Sequence, residues 1–318
     1  MTAAQATAPA SPPPKERRFS VKQMVLIATG VYVLGMILLI ALVPSEGKNE
    51  EFKPQEEFRL TPWIDLNIAG IDMSINRAVF YLILACILTC VAMVYVAKRM
   101  QEKPNRVQTA VEALHDITFN TITRSNMSSQ MTAKWFPFVA TLFFFIWISN
   151  LLGYIPLPTN THETVDIFGV NVPTLAIYAA TANLSIPLVL TLIVWVAYQV
   201  EGVRAHGLMP YLKGWIPSGT PGFMKPMLFG IELISQLVRI ISLSVRLFAN
   251  ILAGHLLILF MGGGLGVLLG LAALGWLTFP LALAFFLFEV VLVATLQAFI
   301  FATLTSIYFG EATSAEGH

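Results

Sequence analysis

Charge is the first thing missing. Only 12% of the 318 residues are Asp, Glu, Lys or Arg, while 56% are hydrophobic; a soluble domain carries about 25% charged residues. So little polar surface cannot clothe a fold in water, and lipid must be the solvent for much of the chain. Cysteine is nearly absent as well. Cys86 and Cys90 lie four apart inside one apolar stretch, too few for a disulfide framework, and read as small packing or lipid-facing residues. The chain holds no GxxxxGK(S/T), HExxH, CxxC or GxSxG pattern, which excludes the common soluble catalytic machineries. Its basic residues are scattered, with no stripe to face a nucleic acid, and nothing calls for a cofactor or a metal. Any chemistry has to come from isolated polar residues in apolar helices.

What is present is a succession of long uncharged runs. Residues 1–23 read as a disordered basic N-terminus, rich in Ala, Thr and Pro up to 14 and then carrying Lys15, Arg17 and Arg18. The uncharged run 24–43 is long enough, at about 20 residues, to cross a hydrocarbon core of about 30 Å. It is either a cleaved signal sequence or a retained span; its length and the lack of a small-x-small site favour retention. Residues 44–76, with Pro44, Pro54 and Pro62, read as an extracytoplasmic segment. From 77 to 318 the chain reads as one membrane domain. Its first span, Ala78 to Ala97, stops at Lys98-Arg99. The stretch 107–133 repeats Val107, Val111, Leu114, Ile117 and Ile122 at helical spacing beside Glu112, Asp116 and Arg124, the pattern of an amphipathic helix on the membrane surface.

The next span, Trp135 to Leu152, carries Phe143-Phe144-Phe145 and Trp147. A loop rich in Pro, Asn and Thr follows, whose DIFGVNVP stretch suits a small hairpin, and then a span over 174–198. A Gly/Pro-rich connection with Arg204, Lys213 and Lys225 leads to a helical hairpin over 226–309, turning at GGGLG (262–266) and expected to bend near Pro280. Its first arm, about 35 residues or roughly 52 Å at 1.5 Å per residue, exceeds the bilayer and must incline steeply. The fold class is therefore an all-α integral membrane protein of about six membrane segments, with a long, strongly tilted C-terminal hairpin and a surface amphipathic helix. Lys/Arg excess in 15–22, 98–106 and 204–225 puts those segments in the cytoplasm and both termini with them, provided the first run is a span.

The stretch IELISQLVRIISLSVRLFANILAGHLL (231–257) concentrates the polar residues. At 100° per residue Arg239 stands about 20° from Arg246 around the axis, and Glu232 and Asn250 about 40°. One flank of a greasy helix thus carries an acid, two guanidiniums and an amide, while His255 falls on the opposite face with Ser244. An arginine in mid-helix costs about 2.5–3.5 kcal/mol to insert. Glu232 lies about 21 Å along the axis from Arg246, too far to neutralise it; Arg239 could pair with Glu232 or snorkel. Asn150 is either a channel-lining amide or a helix-end polar group. Thr181, Asn183 and Ser185 suit hydrogen bonds between helices. Glu289 lies deep in the last helix with no nearby base, and Gln297 follows it. Burial disfavours the charged form of a carboxyl group, so Glu289, with Glu232 and His255, are stations of a possible proton relay.

Four stretches, SLSVRLFANILAGHLL (242–257), FFFIWISNLLGYIP (143–156), TANLSIPL (181–188) and LQAFIFATLTSIY (296–308), resemble subunit a of bacterial F-type ATP synthases, over about residues 75 to 310. The resemblance implies a non-catalytic stator that clasps a rotating ring of c subunits beside peripheral-stalk b subunits, in the bacterial inner membrane. It implies that Arg246 faces the ring, favouring the charged form of each arriving carboxyl group and parting two aqueous half-channels, so that protons cross by riding the ring. It places Asn150, His255 and a last-helix carboxylate in the outer half-channel and Glu232, with Asn250, toward the cytoplasmic one. Gln297 would sit close to Arg246. Members commonly put the last-helix ionisable residue seven positions before the glutamine, whereas Glu289 stands eight before Gln297; a local bulge would restore the facing. The N-terminal 75 residues exceed the family pattern. A secondary transporter would show internal repeats with paired broken helices, and none is convincing; a haem-bearing respiratory subunit would need suitably placed histidines, but His115 and His162 lie outside the spans and His255 is alone.

Overall fold

The structure is a computed structural model. It describes residues 20–42, 60, 62–64, 67–68, 71–72, 74–101, 105–155, 164–167, 170–173, 179–216, 219–264 and 272–314. The basic N-terminus through residue 19, the whole of 43–59, and the far end of the GGGLG turn lie outside the described residues.

The helices are α1 (Val21–Leu42), α2 (Arg77–Lys98), α3 (Arg106–Asp116), α4 (Ser129–Leu152), α5 (Ser185–His206), α6 (Leu208–Gly214), α7 (Lys225–Leu259), α8 (Ala272–Phe288) and α9 (Ala294–Thr313). Three π-helical segments extend them: Ile117–Arg124 after α3, Phe260–Gly264 after α7 and Glu289–Val293 between α8 and α9. Among the described residues five helices are long and apolar enough to cross a membrane, the last two being 41 residues (Gly222–Gly262) and 36 residues (Thr278–Thr313). At 1.5 Å per residue these run to roughly 60 and 54 Å, so the two oversized arms expected of the hairpin are there. The sixth expected segment is helical over Val21–Leu42 but is not among those five.

Local chemistry sets the boundaries. Asn76 caps α2 by accepting the Val79 N–H at 3.1 Å, and the helix ends in Lys98, with Arg99 lying 5.0 Å over the Tyr95 ring. Ser128 caps α4, so this span starts at Ser129, earlier than the Trp135 read from hydropathy. The surface helix accordingly stops at Arg124, short of 133. The span expected over 174–198 is displaced along the chain. Thr181 lies in a 3-10 turn, Asn183 Oδ1 accepts the Ser185 N–H at 3.0 Å, and the helix runs Ser185–His206. Asn and Ser bond their own backbone well, which explains why they start the helix instead of lying inside it. Pro226 occupies the first turn of α7, where a missing N–H costs nothing.

Short strands add to the all-α reading. β1 (Pro62–Ile64) pairs with β4 (Ile75–Asn76), and β2 (Asn67–Ile68) with β3 (Ile71–Asp72), so the described parts of 62–76 form an interrupted hairpin. The DIFGVNVP stretch forms the antiparallel hairpin β5 (Thr164–Ile167) and β6 (Val170–Pro173). In the bundle α9 packs against α4 and α5, α7 against α5 and α8, and α2 against α4. Phe143, Ile146, Val194, Leu247, Ile251, Phe301 and Phe309 fill the space between them.

Candidate functional site

Helix α7 has three kinds of flank. Gln236, Ile240, Leu243, Ser244, Leu247, Ile251 and Gly254 are buried, recurring every three or four residues as one helical stripe. Ile234, Leu237, Val238, Ile241 and Val245 are 41–61% exposed and form an apolar face turned away from the bundle. Between these two lies the polar flank, where Glu232 and Arg239 are half-buried and Arg246 and Asn250 exposed. Among the described residues Arg246 makes no hydrogen bond or ion pair. A guanidinium in the middle of a 41-residue apolar helix with no acid of its own requires a partner from outside the chain, or water. Asn250, one turn away, likewise makes no hydrogen bond among the described residues.

Arg239 differs. Its Nη1 donates to Glu311 Oε2 at 2.7 Å and its guanidinium lies 5.0 Å over the Tyr308 ring, so of the two alternatives the pairing with Glu232 is not made. Glu232 Oε1 instead accepts from Gln236 Nε2 at 2.8 Å, the i,i+4 neighbour. Gln236 Oε1 accepts from the Tyr198 hydroxyl at 2.6 Å, and Gln199 links on to the Tyr211 hydroxyl at 2.6 Å. Burial pushes the Tyr211 phenol up, so it remains a donor. This chain of polar groups occupies the first half of α7. Beside it, Lys134 on α4 pairs with the buried Glu201 on α5.

A second polar cluster lies beyond Arg246. His255 Nδ1 faces the Ile251 carbonyl at 2.8 Å and its Nε2 the Gly153 carbonyl at 2.9 Å. Tyr154, 4% exposed, stacks on the His255 ring with centroids 4.6 Å apart and donates its hydroxyl to Glu289 Oε2 at 3.0 Å. Burial first, and the Glu289 carboxyl second, push the Tyr154 phenol well above its ordinary range, which keeps it a donor. Gly254 completes the enclosure, because a Cβ there would run into the Glu289 carboxyl. The structure therefore brings His255 and Glu289 together. Asn150 lies just beyond them, fully buried, with Nδ2 3.4 Å from the Ala294 carbonyl and Oδ1 accepting from Thr181 at 2.8 Å. Both ends of its amide are engaged, tying α4 to α9 and to the turn before α5.

The π segment Glu289–Val293 supplies the one-residue bulge. Its closing bond runs from the Ala294 N–H to the Glu289 carbonyl, five residues apart, so Glu289 sits one turn from Ala294 on the buried stripe that continues through Gln297, Ala298 and Phe301. The eight-residue spacing is thereby absorbed. Gln297 is buried but joins neither Arg246 nor any other described residue by a hydrogen bond. An apolar layer of Leu243, Leu247, Ile251, Val194, Ala298 and Phe301 separates the two clusters; Ser244 within it bonds the Ile240 carbonyl of its own helix at 2.5 Å. By axial rise Arg246 stands about 21 Å from Glu232 and about 14 Å from His255. Among the described residues no three His, Cys, Asp or Glu side chains gather closely enough to hold a metal.

Sequence reasoning missed Tyr154, Gly254, Gln236, Tyr198 and Glu311. Gln236 was visible as the i,i+4 neighbour of Glu232; Glu311 was not, being 72 residues from Arg239.

Comparison with known proteins bears on the whole arrangement. Residues 79–310 match the family described as ATP synthase A chain. The ATP synthase subunit a of Rubrobacter xylanophilus is 36% identical over 255 residues, covering 80% of this chain and 90% of that one. That of Maricaulis maris is 32% identical over 272 residues, covering 81% and 96%, and that of Anaplasma marginale 33% over 266 residues, covering 83% and 99%.

Proposed function

The chain belongs to the ATP synthase A chain family, and from that premise we propose that it is the stator through which protons reach and leave a ring of c subunits. Membership makes it a non-catalytic subunit of the membrane sector of an ATP synthase complex in a bacterial membrane, serving proton transport coupled to ATP synthesis. The finer reading is ours. Two aqueous half-channels open from opposite sides, the outer one ending at His255, Glu289 and Asn150 and the cytoplasmic one at Glu232 with Asn250. The membrane is the bacterial inner membrane, with residues 98–106 and 204–225 on the cytoplasmic side, and peripheral-stalk b subunits pack alongside.

One observation carries this reading. Arg246 is exposed and, among the described residues, unpaired on the flank beside the apolar face of α7, at the level where apolar side chains separate the two polar clusters. A fixed cation there attracts a ring carboxylate, favours its charged form and so helps it release its proton. It also repels a proton moving straight from one cluster to the other. Only transfer by way of the ring remains, and the ring must turn. Gln297, buried on the adjoining stripe with its amide uncommitted, is available to orient the guanidinium once a ring helix closes over it.

The test is Arg246→Ala in membranes carrying the assembled complex. Proton pumping by ATP hydrolysis and ATP synthesis driven by a gradient are both expected to fall to background while the complex still assembles. Normal coupled activity would remove Arg246 from the ring-facing role.

A further inference from the structure

Tyr154 lies in one of the family-like stretches but has no role among the relay residues, yet it is the group that joins Glu289 to His255. Its ring lies stacked on the imidazole at 4.6 Å while its hydroxyl reaches Glu289 Oε2 at 3.0 Å. We propose that Tyr154 is the positioning residue of the outer proton site, holding carboxyl and imidazole in a fixed relation so that the pair exchanges protons as a unit. This rests on the reading of Glu289 and His255 as outer half-channel residues.

Packing alone does not ask for a tyrosine here. A phenylalanine would fill the same space, whereas a buried phenol needs a partner for its hydroxyl, and the partner it takes is the acid. The carboxyl group has little freedom to turn elsewhere, because the α7 backbone at Gly254 closes its other side. His255 is held by the same piece of chain. Tyr154 follows Gly153, whose carbonyl accepts from His255 Nε2, so one turn after α4 offers an acceptor to the imidazole and a donor to the carboxylate. A neutral imidazole has one N–H and can satisfy only one of the two carbonyls that face its nitrogens; a second proton satisfies both. Both imidazole nitrogens thus face acceptors while the carboxyl group faces a donor. Among the described residues the titratable groups facing this cluster are its own three, Glu289, His255 and Tyr154. The neighbouring α8 contributes Phe286 and has no titratable side chain.

The experiment compares Tyr154→Phe and Tyr154→Leu with Glu289→Gln and His255→Ala, each in membranes holding the complete complex. Assembly is quantified, and passive proton flow is measured after the catalytic head is stripped off. The carboxyl infrared band of Glu289, assigned by its disappearance in Glu289→Gln, is recorded in each. Tyr154→Phe keeps the stacked ring and is expected to assemble normally, conduct about tenfold more slowly and shift the Glu289 band. Tyr154→Leu, which loses the ring too, should be slower again. Parental conduction in Tyr154→Phe overturns the proposal, as does slowed conduction with the band unmoved, since packing alone would explain that. Parental conduction in Glu289→Gln instead removes the outer-site reading, a separate failure that takes this inference with it.

Discussion

The two polar clusters along α7 are built in different ways. The one around Glu232 is assembled mostly along a helix face: the acid bonds Gln236 four residues on, and tyrosines from α5 and α6 extend the chain of hydrogen bonds. The one around His255 is assembled in space, from the turn after α4, from α7 and from a π turn near the C-terminus. A face-built cluster tolerates small changes, because each member keeps its neighbours through helix geometry. A space-built cluster depends on several backbones approaching at one point, as the glycine at 254 and the extra residue of the π turn attest. The clusters should therefore differ sharply in their sensitivity to backbone changes and much less to the loss of one side chain.

The largest effect belongs to the π turn. Inserting one alanine between Val291 and Leu292 rotates Glu289 by about 100° relative to Gln297 and should abolish proton-driven ATP synthesis. Deleting Val291, which is 69% exposed, should do the opposite. Eight residues spanning two turns with one π turn become seven spanning two α turns, so Glu289 and Gln297 stay on one stripe and most activity is retained. Equal damage from insertion and deletion would show that the π turn is not a spacer, and the contrast between the clusters would lose its basis.

Replacing Gln236 by Leu should have a smaller effect. It removes the hydrogen bond held by Glu232 and leaves the buried Tyr198 hydroxyl without an acceptor, a loss of about 1–3 kcal/mol. ATP synthesis is expected to fall about three- to tenfold, measured in inverted membranes with the amount of complex held equal. A collapse as complete as that from the alanine insertion would mean that the inner cluster is as geometrically demanding as the outer one.

These differences also explain what was legible beforehand. The five long apolar helices, the oversized hairpin arms, the DIFGVNVP turn and the polar flank of α7 follow from hydropathy, length and helical period, all properties of short stretches. The start of α5 was misjudged because Thr181, Asn183 and Ser185 sit in an apolar neighbourhood, and composition does not distinguish the turn before a helix from a helix interior. Tyr154 escaped because nothing in GYIP announces that its hydroxyl meets an acid 135 residues away. Glu289 was readable as a lone acid in an apolar helix, and its extra residue against the family spacing became intelligible once the π turn was seen. Local order was written locally; the outer cluster was not.

The smallest effect concerns the two arginines themselves. Arg239 and Arg246 stand seven residues apart, two turns, on the same flank of α7, yet among the described residues only Arg239 is paired with an acid. Its pair with Glu311 is half in water, the side chains being 28% and 40% exposed, and such pairs contribute about 0.2–1 kcal/mol. Arg239 also lies over the Tyr308 ring, a contact Glu311 does not share, so Arg239→Ala should lower the heat stability of the extracted complex more than Glu311→Ala. A double-mutant cycle over the two should give a coupling of about 0.5 kcal/mol, with ATP synthesis nearly unchanged in all three variants. A coupling above about 2 kcal/mol would mark Arg239 as a buried structural cation, and the two arginines would then differ in depth as well as in partner. With a small coupling and intact synthesis, the difference between them reduces to the partner: Arg239 is neutralised inside the subunit at little consequence, and Arg246 is left for a carboxylate that arrives from outside.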